Sequence, residues 1–490
     1  MKNTRQVGLI LGPVLFFLIR MGFHPDGVSA EANAVFATTV WMAVWWITEA
    51  VAIEVTALLP VVLFPLTGAL PLAQTTVTYG DKYVFLYMGG FMLAIAIEKW
   101  NLHRRIALNI IRLIGTDVKK IILGFMVATG FMSMWISNTA TAVMMLPIAM
   151  AIVKQLEDNP DTIENENLVF GKALMLAIAY SASIGGIATL IGTPPNLVLA
   201  SVVKELYGIE ISFAEWMMVG LPIAVGLLFL TWYYLTNFAF AFRQKSFPGG
   251  REEINRQLKS LGKISYEEVL VLIVFVLMAL AWITRSFLLK KWIPALDDTL
   301  IAMIGAIVLF MLPTKAAGQK ILDWKSAVKL PWGILLLFGG GLALAEGFTS
   351  SGLADWIGGQ MTLLAGVQIL LLVLILVTAV NFLTEVTSNL ATTAMLLPIL
   401  APMAVSINVH PYLLLVPATL AASCAFMLPV ATPPNAVVFG SGYLRIPDMV
   451  RTGVALNVLS IIIVSLLVYF LLPLIWGFEP VPFPEAFKSE

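Results

Sequence analysis

Charge is scarce in this sequence. Asp, Glu, Lys and Arg make up 12% of its 490 residues, where a soluble globular domain carries about 25%. There is one cysteine, Cys424, which excludes an internal disulfide and any cysteine-rich metal site and reads as a small packing residue. The three histidines, His24, His103 and His410, all fall near the ends of apolar stretches, so no histidine proton relay is expected inside a membrane. The formal net charge is zero, which argues against a nucleic-acid partner. A cleavable leader is also missing. After Lys2 and Arg5 the first apolar stretch runs to Gly22 without a small-residue cleavage site, and it reads as a retained helix.

What the chain has in quantity is apolar surface: 59% hydrophobic residues and a mean hydropathy of +0.92. Stretches of about 20 apolar residues, enough to cross a bilayer, recur throughout. The expected fold is therefore an all-α polytopic membrane protein in the lipid bilayer. Spans are expected over 7–22, over 34–70 as two helices turning between 49 and 54, and over 83–98. Residues 101–116 set His103, Arg104, Arg105 and Arg112 among Ile and Leu, the pattern of an amphipathic helix on the membrane surface. Further spans follow over 121–153, 168–203 and 213–242, then a polar linker over 243–268. The second half continues over 269–283, 299–312, 332–346, 361–405, 412–439 and 450–475.

Three landmarks in the first half return in the same order in the second. Gly89-Gly90 returns as Gly339-Gly340. Ser137-Asn138-Thr139-Ala140-Thr141-Ala142 returns as Ser388-Asn389-Leu390-Ala391-Thr392-Thr393, each followed by a Leu-Pro-Ile. Thr193-Pro194-Pro195-Asn196 returns as Thr432-Pro433-Pro434-Asn435. Polar and Pro-interrupted segments at matching places in two hydrophobic halves are the sequence pointer to a secondary transporter's binding site. Placing the N-terminus, the 99–120 segment and the 243–263 linker in the cytoplasm, with the other basic loops that follow, puts 22 of the 29 Lys and Arg inside, as the positive-inside rule requires. That sorting holds only if each Ser-Asn segment enters and leaves on one face, so each is expected to be a re-entrant hairpin and the two halves to be inverted. The N-terminus would be cytoplasmic and the C-terminus outside.

A hairpin tipped with Ser and Asn frees carbonyls at one helix end and amides at the next. The oxygens suit a hard cation such as sodium, and the amides with the helix dipole suit an anion. Pro194 and Pro433 break their spans in the same way, because proline removes a donor and clashes with the turn before it. No Arg, Lys or His lies in these motifs. An anion there must be met by amides, hydroxyls and bound cations, which favours cation-coupled transport over an anion channel with a basic ring. Enzymatic acyl transfer is not expected, since no His or Lys stands beside Ser137 or Ser388. Glu385 is an intramembrane acid, read either as a functional group or as a structural partner for Ser and Thr hydroxyls. Glu49 and Glu54 are placed at a cytoplasmic turn, and Glu346 at a helix end near the interface.

The chain resembles the divalent anion:sodium symporters. The family's signature stretch is met by Ala422-Ser423-Cys424-Ala425-Phe426-Met427-Leu428-Pro429-Val430-Ala431-Thr432-Pro433-Pro434-Asn435-Ala436-Val437-Val438, its paired hairpin motifs by Ser137-Asn138-Thr139 and Ser388-Asn389, and an early-span pattern by Trp46-Ile47-Thr48-Glu49-Ala50. The resemblance implies a homodimer with about eleven spans and two re-entrant hairpins in each protomer, working as an elevator in a bacterial or archaeal plasma membrane. Residues 1–117 and 266–360 would form the scaffold and 118–242 and 361–478 the moving transport body, with a cytoplasmic linker over 243–265 and a tail over 479–490. It implies one sodium site at Ser133, Ser137, Asn138 and Gly192 and another at Thr384, Thr387, Asn389 and Ala431. Substrate carboxylates would meet Ser137, Asn138, Thr139, Thr193 and Pro194 on one side, and Ser388, Asn389, Leu390, Thr432 and Pro433 on the other. Leu390 stands where the full motif has Thr, and Pro194 where many relatives have Gly, so one hydroxyl and one amide are missing. The expected activity is sodium-coupled symport of C4-dicarboxylates, with no organic cofactor. A sodium-independent dicarboxylate exchanger and a sulfate or citrate carrier are the alternatives.

Overall fold

The computed structural model describes residues 2–115, 117–157, 164–240, 242, 249–360 and 366–487. The first half contains α1 (Lys2–Gly22), α2 (Ala30–Thr48), α3 (Leu59–Thr67), α4 (Lys82–Lys99), α5 (Leu102–Ile114), α6 (Val118–Ser133), α7 (Asn138–Glu157), α8 (Glu164–Gly186), α9 (Pro194–Tyr207) and α10 (Phe213–Tyr234). After α11 (Gly250–Ser260), the second half contains α12 (Tyr266–Thr284), α13 (Asp298–Met311), α14 (Trp332–Ser350), α15 (Ile369–Thr384), α16 (Asn389–Ser406), α17 (Tyr412–Ala422), α18 (Pro433–Phe439) and α19 (Ile446–Phe470). Expectations touching residues 116, 241, 243–248, 361–365 and the tail end 488–490 lie outside the described residues.

The interruptions fall where the sequence places them. The 34–70 stretch breaks at Glu49, which is left-handed (φ 45°) and whose carboxylate pairs with Arg5 at 2.8 Å. The hairpin helices α6 and α7 are separated by residues 134–137, and α15 and α16 by residues 385–388. Pro194 and Pro433 each open a helix, the one helical position where a missing N–H costs nothing. The 243–268 region is more than a polar linker, because α11 forms inside it. Glu252 and Glu253 in its first turn and Lys259 in its last complement the helix dipole, and Ile254 is buried.

Among the described residues, eight helical stretches have the length and composition to cross a bilayer, and four shorter apolar ones accompany them. Length alone finds fewer than the eleven expected because the breaks leave pieces such as α9 and α17 too short to qualify. The centre of the protein is α8, with Ala173, Ala177, Ser181, Ala182 and Gly185 buried. In a membrane, helices associate by close packing rather than by burial from water, and small side chains permit it. A Cβ on Gly185 would collide with the Gly130 carbonyl of α6. The periphery is the reverse: Ile10, Phe17, Ile462 and Phe470 turn apolar side chains outward on α1 and α19, as lipid contact requires.

The repeat is visible in the packing, and it is crossed. The first hairpin's α7 packs on α18 of the second broken span, and the second hairpin's α16 packs on α9 of the first. Each half therefore completes the other.

Near the end of α16, His410 is enclosed by Phe478, Tyr412 and Phe487, and its backbone N–H donates to the Pro480 carbonyl at 3.0 Å. Burial pushes its pKa down to about 4. The unfolded imidazole takes a proton at about pH 6.5, so the stability it contributes is full above that pH and is lost as pH falls toward 4. His410→Phe should flatten the loss of thermal stability between pH 6.5 and 4, read by a melting series in detergent.

Candidate functional site

The first hairpin tip is built around Asn138, the first residue of α7. Ser133, at the end of α6, is fully buried, and its Oγ lies 2.6 Å from the Asn138 side-chain oxygen and 2.7 Å from the Ala182 carbonyl. With its oxygen turned into this space, Asn138 faces only acceptors. With its nitrogen turned in, it donates to the carbonyls of Ala182 (3.1 Å) and Gly192 (3.2 Å) and to Ser133 Oγ (2.6 Å). In the first orientation Asn138 Oδ1 stands with Ser133 Oγ and the carbonyls of Ala182 and Gly192, an all-oxygen set of the kind a hard cation takes; in the second the amide closes the tip by hydrogen bonds. A Cβ on Gly186 would stand 2.5 Å from the Asn138 amide, and one on Gly192 2.5 Å from the Gly186 carbonyl, so the space exists because both are glycine.

The second tip repeats this geometry. Thr384 Oγ1, at the end of α15, donates to Asn389 Oδ1 (2.8 Å) or to the Ala422 carbonyl (2.9 Å). Hydroxyl, amide and carbonyl recur in the same relation, which the sequence shows only as two Asn. Thr387 is different: its hydroxyl is committed to the Leu383 carbonyl (2.9 Å) and Thr392 Oγ1 (2.6 Å) and stays buried, leaving only its backbone for a ligand.

Around the tips, Thr139 and Pro433 are exposed and Ser137, Asn138, Pro194, Ser388 and Asn389 half-exposed, while Gly192, Thr193, Leu390, Ala431 and Thr432 are buried. Ser137 Oγ accepts from the Ala140 amide at 3.3 Å, and Thr432 Oγ1 from the Asn435 amide at 3.3 Å. Thr193 shares the Thr432 backbone conformation (φ −142°, ψ 143° against −140°, 148°) without that side-chain cap. Leu390 fills its position with hydrocarbon, 5% exposed, so the second half lacks a polar group there.

The bonding of three sets of residues escaped the sequence reading. Asn196 Nδ2 donates to the carbonyls of Gly186, Ile187 and Thr189 (3.1, 3.3 and 2.7 Å), and Asn435 Nδ2 to those of Ala425 and Leu428 (3.4 and 3.0 Å). Each holds the two ends of a broken span together, and in each the side-chain oxygen is buried without a hydrogen-bond partner among the described residues. Ser183 and Ser423 also carry buried hydroxyls without a partner among the described residues, each next in sequence to a residue whose carbonyl is already named, Ala182 and Ala422. Their matched places in the repeat were the available signal. Glu385 is the third. It accepts from the amides of Phe426 (2.8 Å), Met427 (3.0 Å) and Leu428 (3.1 Å) and from Asn457 Nδ2 (2.8 Å). Its partners are the unwound backbone ahead of Ala431 rather than Ser or Thr hydroxyls, so it is a structural anchor of the second tip. Glu346 lies four residues from the end of α14, bonded to Gln74 and to Ser350 Oγ (2.6 Å), as its placement near a helix end implied.

Two interrupted spans beside two hairpins, with helix ends and small polar groups turned inward, define a secondary transporter rather than an enzyme. The chain belongs to the divalent anion:sodium symporters: residues 3–476 match the family model for the sodium:sulfate symporter transmembrane region. It is 50% identical over 479 residues to the sodium-dependent dicarboxylate transporter SdcS of Staphylococcus saprophyticus, covering 96% of this chain and 92% of that one. Over 484 residues it is 50% identical to SdcS of Staphylococcus aureus strain MRSA252, covering 98% and 93%. A solved structure of Neisseria gonorrhoeae MtrF, described with a class of antimetabolite efflux pumps, is similar with a TM-score of 0.62 over 97% of both chains. At 12% identity that likeness is one of fold.

Proposed function

We propose that this protein is a sodium-coupled symporter of C4-dicarboxylates such as succinate, fumarate and malate, working across the plasma membrane by alternating access. The observation that carries the reading is the matched oxygen set, Ser133 with Asn138 and Thr384 with Asn389, each closed by a carbonyl of the neighbouring broken span. Cations held there would supply the positive charge that a dianion needs in a site with no basic side chain, where low dielectric strengthens the attraction. The exposed Thr139 and the half-exposed Ser137, Ser388 and Asn389 would then face the carboxylates.

The movement follows from unequal packing. The second hairpin's α16 packs along α14, whereas the first hairpin's α7 makes no comparably extensive contact, among the described residues, with α4, the matching Gly-Gly helix of the first half. In this reading the structure is open on the side of the first hairpin, which is the cytoplasmic side if the N-terminus is inside. Residues 118–242 and 361–478 form the body that slides, and a homodimer of the remaining elements holds it in the membrane.

Uptake of labelled succinate into proteoliposomes tests the coupling. An inward sodium gradient should raise the initial rate at least about 10-fold over a potassium gradient of the same size. Equal rates would point to the sodium-independent exchanger. Competition by unlabelled sulfate or citrate in the same vesicles separates those substrates.

A further inference from the structure

A cleft of about 490 Å³ opens between α7, the surface helix α5 and the linker helix α11, away from both hairpin tips. Its walls differ in chemistry. One wall is the face of α7 that carries Met144, Pro147 and Ile148 and continues to Ala151, about 10 Å of helix at 1.5 Å per residue. The facing wall carries Arg104 from α5 and Arg256 from α11. Arg104 has no hydrogen bond or ion pair among the described residues. Arg256 meets the buried Glu253 with one nitrogen at 2.5 Å, and its side chain is 73% exposed. Gln257 donates to the other Glu253 oxygen at 3.0 Å, and Glu253, which also lines the cleft, offsets the charge of Arg256, so Arg104 is the uncompensated cation of that wall. His103, also in the lining, has its pKa lowered by burial and adds no charge at neutral pH.

Pockets of this size, mostly apolar with a few convergent polar groups, bind small ligands. An inorganic ion would leave the α7 wall uncovered, and a plain hydrocarbon would leave Arg104 unpaired. The occupant that satisfies both walls has an anionic head and an apolar chain. Its supply is at hand, because α5 is amphipathic and exposes Leu113 (87%) where a surface helix meets acyl chains, and basic pockets on the cytoplasmic side collect acidic headgroups.

We propose that this cleft binds an anionic amphiphile, with its carboxylate or phosphate on Arg104 and Arg256 and its chain along Met144, Pro147 and Ile148. The occupant ties the helix of the first hairpin to α5 and α11. It thereby holds that hairpin where it stands and slows turnover. The slowing rests on the alternating-access reading above, whereas the binding does not.

The test uses the full-length purified protein and two probes, phosphatidylglycerol and free dodecanoate, with retention scored by native mass spectrometry. Arg104→Gln removes the head contact, and Met144→Trp fills the chain wall without changing charge. Each is expected to weaken retention at least about 10-fold. Loss of phosphatidylglycerol alone assigns the site to a membrane lipid, and loss of dodecanoate alone to a free carboxylate. Equal retention by wild type and both variants overturns the proposal, as does equal retention of neutral phosphatidylcholine. Sodium-driven uptake is measured on the same samples, where the bound probe should slow wild type several-fold and leave Arg104→Gln unaffected. Absence of sodium dependence in every sample would count against the transport reading and leave the binding result standing.

Discussion

Asn138→Ala and Asn389→Ala, each made alone, should lower sodium-driven succinate uptake at least about 100-fold while the protein still inserts and purifies as wild type. The reason is the oxygen set. At the first tip the Asn138 side chain stands within 3.2 Å of Ser133 Oγ and of the Ala182 and Gly192 carbonyls, so it touches every other candidate ligand there. At the second tip Thr384 and the Ala422 carbonyl leave Asn389 as the remaining side-chain ligand. Perturbing groups that only orient a metal's ligands costs about 10–100-fold in affinity, and removing a ligand itself costs more. The competing account is that each Asn is hydrogen-bonding glue between helices. Such bonds are worth about 0.6 kcal/mol in a membrane on average, which would leave transport within a few-fold of wild type and the sodium dependence intact. Initial rates measured over a sodium series separate the accounts. Normal uptake in either variant removes that hairpin from the site.

Glu385→Ala should be the most destabilising single change near the site. It strips the acceptor from three consecutive backbone amides, Phe426 to Leu428, and from the Asn457 amide, all within 3.1 Å of the carboxylate. An orphaned buried donor costs about 1–3 kcal/mol, so the sum is several kcal/mol. The expected readings are a thermal midpoint lower by about 5–10 °C and poor recovery from the membrane. Glu385→Gln should fall between, since it keeps one acceptor oxygen but turns an N–H₂ toward amides that also donate. The unwound segment held by Glu385 leads into Ala431 and Thr432. Glu385→Gln should therefore weaken sodium activation even where the protein folds. Unchanged melting in Glu385→Ala would mean that those amides find other partners.

Both predictions concern residues that the sequence revealed to different depths. The two Asn were legible because the Ser-Asn motif repeats, at Ser137-Asn138 and Ser388-Asn389, whereas the hydroxyls that meet them, Ser133 and Thr384, came only with the family resemblance. The breaks at Pro194 and Pro433 were legible for a local reason, the covalent geometry of proline. Glu385 was visible as an oddity, yet its partners lie 41 to 72 residues further along the chain, and no local pattern encodes them. The clamping roles of Asn196 and Asn435 follow from folding back onto carbonyls up to ten residues earlier, which a tetrapeptide does not display. Helix α11 was missed for the opposite reason. A basic, polar composition read as a linker concealed one buried face, Glu253 and Ile254. The crossed pairing of hairpins and broken spans was not legible at all, because apolar helix faces in a membrane carry little information about which neighbour they choose.

That crossing sets a timetable for the ribosome. The helix that α7 needs does not begin until Pro433, roughly 300 residues after Asn138, and at about 5–20 residues per second its synthesis takes about 15–60 s. For that interval α7 has its own-half neighbour α8 but lacks α18. A nascent chain arrested before residue 433 should therefore leave positions on α7 that the complete chain buries, such as Ala142 and Met145, open to water-soluble thiol reagents through introduced cysteines, and release of the complete chain should close that access.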